Sequence, residues 1–206
     1  MGLLSVIRKT KRKQKEVRVL ILGLDNAGKS TILAYYMHED TTHVSPTFGF
    51  TIKHLHHAGL NLNVWDIGGQ RSLRPFWRNY FEKSECLIWV VDMQMPERFK
   101  ECYTALIDVL QEDRLLGSIL LILLNKVDTV PEERRQQLIK QAESLFSPQN
   151  IQALAVSDYM ILPVSACTGE NLDTALDWLT QTVKQRLFAL EDAGIKFDQT
   201  QSTTIT

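Results

Sequence analysis

Short apolar segments alternate with longer segments of helical periodicity along most of this chain. Apolar strands that alternate with helices are typical of a parallel sheet covered on both faces. We therefore predict an α/β fold in three layers, in which a six-stranded, mostly parallel sheet carries helices on both faces. The predicted strands are residues 17–22, 48–56, 60–67, 86–92, 118–124 and 160–164, and the predicted helices are residues 29–37, 97–116, 132–146 and 172–190.

The second and third predicted strands are joined at residues 58–59, where Ala-Gly predicts a hairpin and hence one antiparallel pair. Three histidines on the first of these strands, His54, His56 and His57, raise the question of a metal site. Because side chains alternate along a strand, His57 points away from the other two, and we expect a solvated hairpin edge instead. Residues 38–46 are polar and contain a proline, which indicates an irregular loop.

The composition fits one compact domain. The chain has 206 residues, of which 44% are hydrophobic, and its three cysteines form neither a disulfide framework nor a zinc motif. No apolar run has the length of a transmembrane helix or of a secretory signal. We therefore expect a cytoplasmic protein.

Positive charge is concentrated at the amino terminus. Residues 1–18 carry a formal charge of +6 and the remainder carries −7, although the net charge is only −1. Because Leu3, Leu4 and Ile7 share one helical face beside this basic block, we predict an amphipathic helix over residues 1–16. Such a helix would dock on a protein partner or make weak contact with an anionic membrane surface, although a solvated tail stays open. The local charge does not indicate nucleic-acid binding.

Both chain ends carry a further expectation. Gly2 raises N-myristoylation, but that motif requires Ser or Thr where this chain has Val6, so acylation stays open. Few apolar residues occur near the carboxyl terminus, and we predict a disordered tail over residues 191–206. The folded domain is then expected to span residues 17–190.

The first strand leads into a glycine-rich loop with a phosphate-binding pattern. Residues 23–30 read GLDNAGKS, which is G-x-x-x-x-G-K-S at the start of a helix. Gly23 and Gly28 allow several backbone N–H groups to converge on a phosphate, and the helix N-terminus adds its unpaired amides. In such a loop Lys29 reaches the β- and γ-phosphates, and the Ser30 hydroxyl ligates Mg²⁺. The predicted ligand-binding residues of the loop are Gly23, Asp25, Asn26, Ala27, Gly28, Lys29, Ser30 and Thr31.

The third strand ends in the sequence WDIGGQ, which suits chemistry at a γ-phosphate. A strand of this kind delivers Asp66 to the Mg²⁺ shell in proteins with a phosphate-binding loop. The glycine pair that follows would let the backbone N–H of Gly69 approach the γ-phosphate. Gln70 comes next, where its side chain could orient an attacking water molecule.

The fifth strand ends in NKVD, which predicts recognition of guanine. Guanine presents N1–H and an exocyclic amine side by side, and the Asp128 carboxylate can accept both. Adenine has no such donor pair and would leave the carboxylate unpaired. Asn125 would hold the other edge of the base, and the stem of Lys126 would lie over the ring. The backbone of Ser165, Ala166 and Cys167 follows the last strand and is expected to donate to the guanine carbonyl.

Taken together, these motifs resemble the Ras-superfamily small GTPases, and in detail the ADP-ribosylation factor (Arf) and Arf-like branch. The stretches that carry the resemblance are GLDNAGKS, SPTFGF, WDIGGQRSLRPFWRNYF, NKVD and SACTGENL, and the similarity covers residues 1–190. The segments MGLLSVIRK, LIWVVD and WRNYFE are most similar to Arf-like proteins of types two and three, with type two slightly favoured. The resemblance implies a P-loop GTPase fold, GTP or GDP with Mg²⁺ as ligands, and GTP hydrolysis.

The resemblance also implies roles for individual residues. Thr47 matches a switch threonine that joins the Mg²⁺ shell only when the γ-phosphate is present, so the implied metal ligands are Ser30, Thr47 and Asp66. Gly69 matches the glycine that senses this phosphate, and Gln70 the glutamine that positions water, with Lys29 as the second catalytic group. The hairpin between the switches is similar to one that slides along the sheet on GTP binding and expels the N-terminal helix. Effectors are expected to read an aromatic cluster of Phe50, Trp65 and Tyr80 together with that helix in the GTP state.

The implied partners are effectors, an exchange factor and a GTPase-activating protein, and they include carriers of lipid-modified proteins and tubulin-folding cofactors. Association with the cytoskeleton or the cilium would follow from such partners. Because residues 38–46 contain no Lys or Arg that could act on the phosphates in cis, we predict very slow hydrolysis without an activating protein. Two alternatives stay open, a constitutively GTP-bound scaffold and a P-loop nucleoside kinase or ATPase, and the NKVD sequence opposes the second.

Overall fold

The computed structural model describes residues 16–151 and 156–199, with residues 188–199 as backbone alone. The predicted N-terminal helix over residues 1–16 lies outside the described residues except for Glu16, which begins the first strand instead. The final seven residues of the predicted tail, 200–206, also lie outside them.

Six strands form one sheet in the order β2-β3-β1-β4-β5-β6. The hairpin strands β2 and β3 are antiparallel, and every other neighbouring pair is parallel, which confirms the predicted sheet. In the pairing of β1 with β3, Val19 lies opposite Val64 and Ile21 lies opposite Asp66. The strands are β1 Glu16–Gly23, β2 Phe50–His57, β3 Leu60–Ile67, β4 Cys86–Asp92, β5 Ile119–Asn125 and β6 Asp158–Pro163.

Helices cover both faces of this sheet. They are α1 Lys29–Tyr36, α2 Phe99–Leu110, α3 Glu132–Leu145, α4 Pro148–Ile151 and α5 Leu172–Gln199. Alternate residues of the central strands point to opposite faces, so that two apolar clusters form. One cluster joins residues such as Leu20, Trp89 and Ile122 to α2 and α3, and the other joins Ile21, Val90 and Leu121 to α1 and α5. The predicted three-layer arrangement is therefore confirmed.

Two helix boundaries differ from the predictions. Helix α2 ends at Leu110, whereas the sequence predicts a helix up to residue 116. Its buried face includes Phe99, Cys102, Leu106 and Val109, and the next residue at this spacing is the polar Asp113, so a continued helix would bury a carboxylate.

The second difference concerns the carboxyl-terminal helix. Helix α5 continues to Gln199, past residue 190, where the sequence predicts the start of a disordered tail. Residues 191–199 contain no proline, and their single glycine, Gly194, weakens a helix without ending it, so a helix that is already formed can continue.

The hairpin turn forms as predicted. Ala58 and Gly59 both have positive φ, 49° and 74°, the conformation that a tight two-residue connection requires. The three histidines of β2 contact different partners, since His54 and His56 pair with asparagines of β3 whereas His57 Nε2 lies 2.7 Å from Asp177 on α5. Within the described residues, no group of three or more His, Cys, Asp or Glu side chains is arranged to hold a metal ion.

Among the residues that the structure describes, no helix combines the length and the apolar character needed to cross a bilayer.

The central strand β5 provides a test of the core. Leu121 is fully buried on this strand, and we expect Leu121→Ala to lower the free energy of unfolding by about 2–5 kcal/mol through lost contacts and an unfilled cavity. The matched control is Leu116→Ala, because Leu116 is 57% exposed and its truncation is expected to cost less than about 0.5 kcal/mol. Urea unfolding at a fixed ligand concentration measures both values. Equal losses for the two variants would contradict this description of the core.

Candidate functional site

The loop between β1 and α1 takes its shape from two glycines. Gly23 has φ 146°, and a Cβ atom there would lie 2.4 Å from the carbonyl oxygen of Val90. Gly28 has φ 88°, and a Cβ atom there would lie 2.3 Å from Nδ2 of Asn125. No larger residue fits at either position without displacement of its neighbour. The loop therefore follows the strand ends closely and then enters α1 at Lys29.

A cavity of about 310 Å³ opens beside this loop. Three segments line it, namely the loop, residues 44–47 before β2 and residues 68–70 after β3. The two predicted switch segments therefore lie beside the phosphate-binding loop, on the walls of this cavity. Its lining includes the predicted residues Asp25, Asn26, Gly28, Lys29, Ser30, Thr31, Thr47, Gly69 and Gln70.

Lys29 supplies a buried positive charge at this cavity. Its side chain is only 6% exposed, and Nζ donates to the carbonyl oxygens of Gly23 at 3.1 Å and Leu24 at 2.8 Å. Burial lowers the pKa of Lys29 to about 8, because the charged form loses hydration, although Asp66 and Asp25 partly counteract this. A polyphosphate in the cavity would provide the negative charge that favours the protonated amine.

Three oxygen-bearing side chains converge where a metal ion is predicted. Ser30 Oγ lies 2.8 Å from Thr47 Oγ1 and donates to Asp66 Oδ2 at 2.5 Å, and Thr47 Oγ1 donates to the same oxygen at 3.0 Å. Asp66 is 2% exposed, and its other oxygen, Oδ1, is buried without a hydrogen-bond partner among the described residues. Oxygen ligands and an unsatisfied carboxylate oxygen fit Mg²⁺, which prefers such ligands and retains part of its water shell.

The glycine pair after β3 lies directly against the phosphate-binding loop. A Cβ atom on Gly69 would lie 2.3 Å from the carbonyl oxygen of Gly23 and 2.4 Å from the carbonyl carbon of Leu24. The N–H of Gly68 donates to the carbonyl of Gly49 at 2.9 Å, which ties this segment to the start of β2. Only glycine permits so close an approach, and it leaves the half-buried Gln70 at the cavity wall.

The predicted base-binding residues lie beside the same loop. Asn125 is fully buried, and its Nδ2 donates to the carbonyl of Ala27 at 2.9 Å while its Oδ1 accepts from the N–H of Ala166 at 2.9 Å. One amide side chain therefore joins the phosphate-binding loop to the loop after β6. Lys126 forms an ion pair with Asp92 at 2.7 Å, which fixes its aliphatic stem near Gly28.

The remaining base-site residues lie at the same edge of the sheet. Asp128 is exposed on a 3₁₀ turn, Val127–Thr129, that follows Asn125 and Lys126. Ser165 is buried and its Oγ accepts from the N–H of Thr168 at 3.1 Å, whereas Cys167 is exposed.

An ion-pair network that the sequence does not predict surrounds Asp25. The Asp25 carboxylate accepts from Arg98 at 2.9 Å and from Arg74 at 3.3 Å, and both arginines also contact Glu101. The hydrogen bond from Arg98, opposed in part by burial, lowers the pKa of Asp25. Arg98 and Glu101 form a local i,i+3 pair, but Asp25 and Arg74 lie far from them in the sequence, and no local pattern indicates that these join the network. Arg74 Nε also donates to the carbonyl of Gly69 at 3.0 Å.

The three predicted aromatic residues form one cluster on the surface. The ring centroids of Phe50 and Trp65 lie 5.5 Å apart in a stacked arrangement, and Tyr80 lies 5.1 Å from Phe50 and 6.1 Å from Trp65. The Arg18 guanidinium lies 3.9 Å from the centre of the Trp65 ring and donates to the carbonyl of Tyr80. Phe50 is 46% exposed, so part of the cluster is open to solvent, and Phe48, two residues earlier, is 81% exposed.

Comparison with known proteins relates this site to one family. Residues 3–183 match the ADP-ribosylation factor family. The chain is 44% identical over 191 residues to ADP-ribosylation factor-like protein 2 of Drosophila melanogaster, which covers 93% of this chain and 100% of that protein. It is 42% identical over 184 residues to ADP-ribosylation factor-like protein 3 of Chlamydomonas reinhardtii, with 89% of this chain and 100% of that protein covered.

A solved structure shares the fold. It is the Arl6 BBS3 small GTPase from Trypanosoma brucei with the bound nucleotide analogue GppNp, and it matches with a TM-score of 0.70 at 21% identity. The match covers 82% of this chain and 98% of that one. With a family match over most of the chain and relatives above 40% identity over their full length, this chain belongs to the ADP-ribosylation factor family.

Proposed function

We propose that this chain works as a regulated switch whose GTP and GDP forms present different binding surfaces. As a member of the Arf family it is a GTPase that binds GTP or GDP with Mg²⁺. Hydrolysis of the bound GTP would change which partners the chain binds.

The convergence of both switch segments on the phosphate-binding loop is the observation that carries the proposal. Thr47 lies within 2.8 Å of Ser30, and Gly69 is packed against the backbone of Gly23 and Leu24. A γ-phosphate in the cavity would contact both segments, and its loss would release both. A single phosphate can therefore control the surface formed by residues 44–50 and 65–80.

In the proposed hydrolysis, the chain contributes position and charge more than covalent chemistry. Lys29 would neutralise charge on the β- and γ-phosphate oxygens, and Gln70 would orient the water that attacks the γ-phosphorus. Ser30, Thr47 and Asp66 would hold Mg²⁺, which when bound supplies further positive charge to the phosphate oxygens. No Lys or Arg occurs in residues 38–46, which supports slow turnover until an activating protein supplies an arginine.

The proposed partners include effectors that recognise the GTP form. The half-exposed aromatic cluster of Phe50, Trp65 and Tyr80 supports this, because aromatic residues in apolar patches dominate many interfaces. The likeness to Arf-like proteins of types two and three supports carriers of lipid-modified proteins and tubulin-folding cofactors as further partners. It equally supports a cytoplasmic location with cytoskeletal or ciliary association. An exchange factor and a GTPase-activating protein complete the cycle, while the helix proposed for residues 1–16 would add contacts in the GTP state.

Selection of guanine is expected to depend on Asp128. Asp128→Ala removes the acceptor for two base donors, which should weaken GDP binding roughly 10- to 150-fold. Asp113→Ala is the matched control, because Asp113 is also exposed on a 3₁₀ turn but lies at the opposite end of β5. Displacement of a fluorescent GDP by unlabelled GDP and by ATP measures both affinity and selectivity. Equal displacement by ATP and GDP from the unmodified protein would favour the kinase or ATPase alternative.

Hydrolysis is expected to depend on Gln70. Gln70→Leu should slow single-turnover GTP hydrolysis about 100-fold, because the attacking water loses its orienting group, while the affinity for nucleotides stays unchanged. Gln136→Leu on the exposed side of α3 serves as the control and should hydrolyse GTP at the normal rate. If the unmodified protein and Gln70→Leu hydrolyse GTP equally slowly, the constitutively GTP-bound scaffold becomes the better description.

Partner binding is expected to depend on Phe50 in the GTP state. Phe50→Ala removes a half-exposed ring and should reduce capture of effectors by GppNp-loaded protein about tenfold or more, as truncation of an aromatic anchor does at other interfaces. Leu116→Ala changes an exposed apolar residue that is not part of the cluster and should leave capture unchanged. Quantitative mass spectrometry of proteins retained by GppNp-loaded and GDP-loaded forms gives the comparison. Partners that bind both forms alike would contradict the switch.

A further inference from the structure

We propose that Arg74 is a positioning residue for GTP hydrolysis, which holds the Gly69–Gln70 peptide so that the Gln70 side chain remains directed at the phosphate cavity. The inference rests on the proposed function, because it takes Gln70 as the residue that orients the attacking water.

The contact between Arg74 and Gly69 carries the argument. Arg74 Nε donates to the carbonyl oxygen of Gly69 at 3.0 Å. That carbonyl and the N–H of Gln70 belong to one planar peptide group, so a fixed oxygen also fixes the direction in which Gln70 starts. The carbonyl of Gln70 in turn accepts from the N–H of Leu73 at 2.8 Å and of Arg74 at 3.3 Å. This turn therefore places the Arg74 side chain beside the peptide group between Gly69 and Gln70.

Two other elements hold the Arg74 guanidinium in place. Its Nη1 donates to Glu101 on α2 at 2.8 Å, and its Nη2 contacts Asp25 of the phosphate-binding loop at 3.3 Å. Arg98 binds the same two carboxylates, at 2.9 Å to Asp25 and 3.0 Å to Glu101, and so holds them at a fixed separation. Arg74 thus connects the Gln70 segment to both the loop and the helix that flank the cavity.

Because these ion pairs are partly exposed, we expect loss of Arg74 to affect the orientation of the Gly69–Gln70 peptide more than the free energy of folding. Arg74 has a side chain that is 17% exposed, whereas Asp25 and Glu101 are 45% and 43% exposed. Ion pairs that reach solvent in this way contribute little to the free energy of folding. Their directional hydrogen bonds nevertheless restrict the orientation of the peptide, and small displacements of reacting groups have large effects on rates.

The neighbouring glycine is held independently of Arg74. Trp77 is buried, and its Nε1 donates to the carbonyl of Gly68 at 2.9 Å. Gly69 is also packed against the backbone of the phosphate-binding loop. Removal of the Arg74 guanidinium therefore leaves the glycine pair in place and frees mainly the peptide that leads into Gln70.

Lysine cannot replace the three contacts of the Arg74 guanidinium, with Gly69, Glu101 and Asp25, because its single ammonium group lacks the planar fork of arginine.

The test measures single-turnover GTP hydrolysis by the full chain with Mg²⁺, in a cycle of Arg74→Met and Gln70→Leu, singly and together. Arg74→Met should slow hydrolysis roughly 10- to 100-fold in the unmodified background and less than about twofold in the Gln70→Leu background, because it acts through Gln70. GDP affinity and the unfolding midpoint should change little. Arg78→Met is the matched control, since Arg78 is exposed one turn further along the same segment, and it should hydrolyse GTP normally.

An unchanged rate of hydrolysis in Arg74→Met, or an equal loss of rate in both backgrounds, would overturn the positioning role of Arg74. The proposed function would still hold in that case, provided that Gln70→Leu alone slows hydrolysis. If Gln70→Leu has no effect on hydrolysis, the proposed function of Gln70 fails and this inference fails with it. Should Arg74→Met not fold, Arg74→Lys and Glu101→Gln provide the same comparison, and a rate that is normal in both would contradict the proposal.

Discussion

The parallel alignment of β1, β3, β4 and β5 is the constraint on which the site depends. In this register Ile21 pairs with Asp66 and Asp92 pairs with Asn125, so that the carboxyl ends of these strands meet at one edge of the sheet. Loops that follow parallel strands therefore begin close together, which is where α/β proteins bind ligands. Asn125 makes use of this arrangement, because its one amide reaches the phosphate-binding loop and the loop after β6.

The same closeness has an electrostatic cost. Lys29 is almost fully buried, and burial lowers the pKa of its amine to about 8, although two backbone carbonyls accept from it. Asp66 is equally buried and leaves one carboxylate oxygen without a partner among the described residues. A polyphosphate would balance the first group and a divalent cation the second. The ligands therefore stabilise the folded protein as well as act in its chemistry, because each binds the folded state alone.

Local sequence patterns predicted the elements that depend on local chemistry. The strand ends carry GLDNAGKS, WDIGGQ and NKVD, whose glycines and carboxylates can form a site only if they lie close together. In the structure the first two motifs line one cavity and the third lies next to it. The contacts of Arg74 and Arg98 with Asp25 escaped prediction, because nothing in a sequence specifies which distant charges pair. The prediction for the end of α2 was also wrong. Apolar residues such as Leu115 extend the helical pattern in the sequence beyond Asp113, where a continued helix would have to bury a carboxylate. The extension of α5 to Gln199 shows that low apolar content does not by itself end a helix.

The alternation of buried and exposed residues along β3 limits how the hairpin can move. Leu60, Leu62 and Val64 face the core, while Asn61 and Asn63 between them face outward. A displacement of β3 along β1 by one residue would turn the asparagines into the core and expose the apolar set, whereas a displacement by two residues restores the pattern. Any displacement of this hairpin that keeps its apolar residues buried would therefore have to proceed by two residues, about 7 Å, at a time. Such a displacement would also separate His57 from Asp177, so the distance between these two side chains would distinguish the two registers.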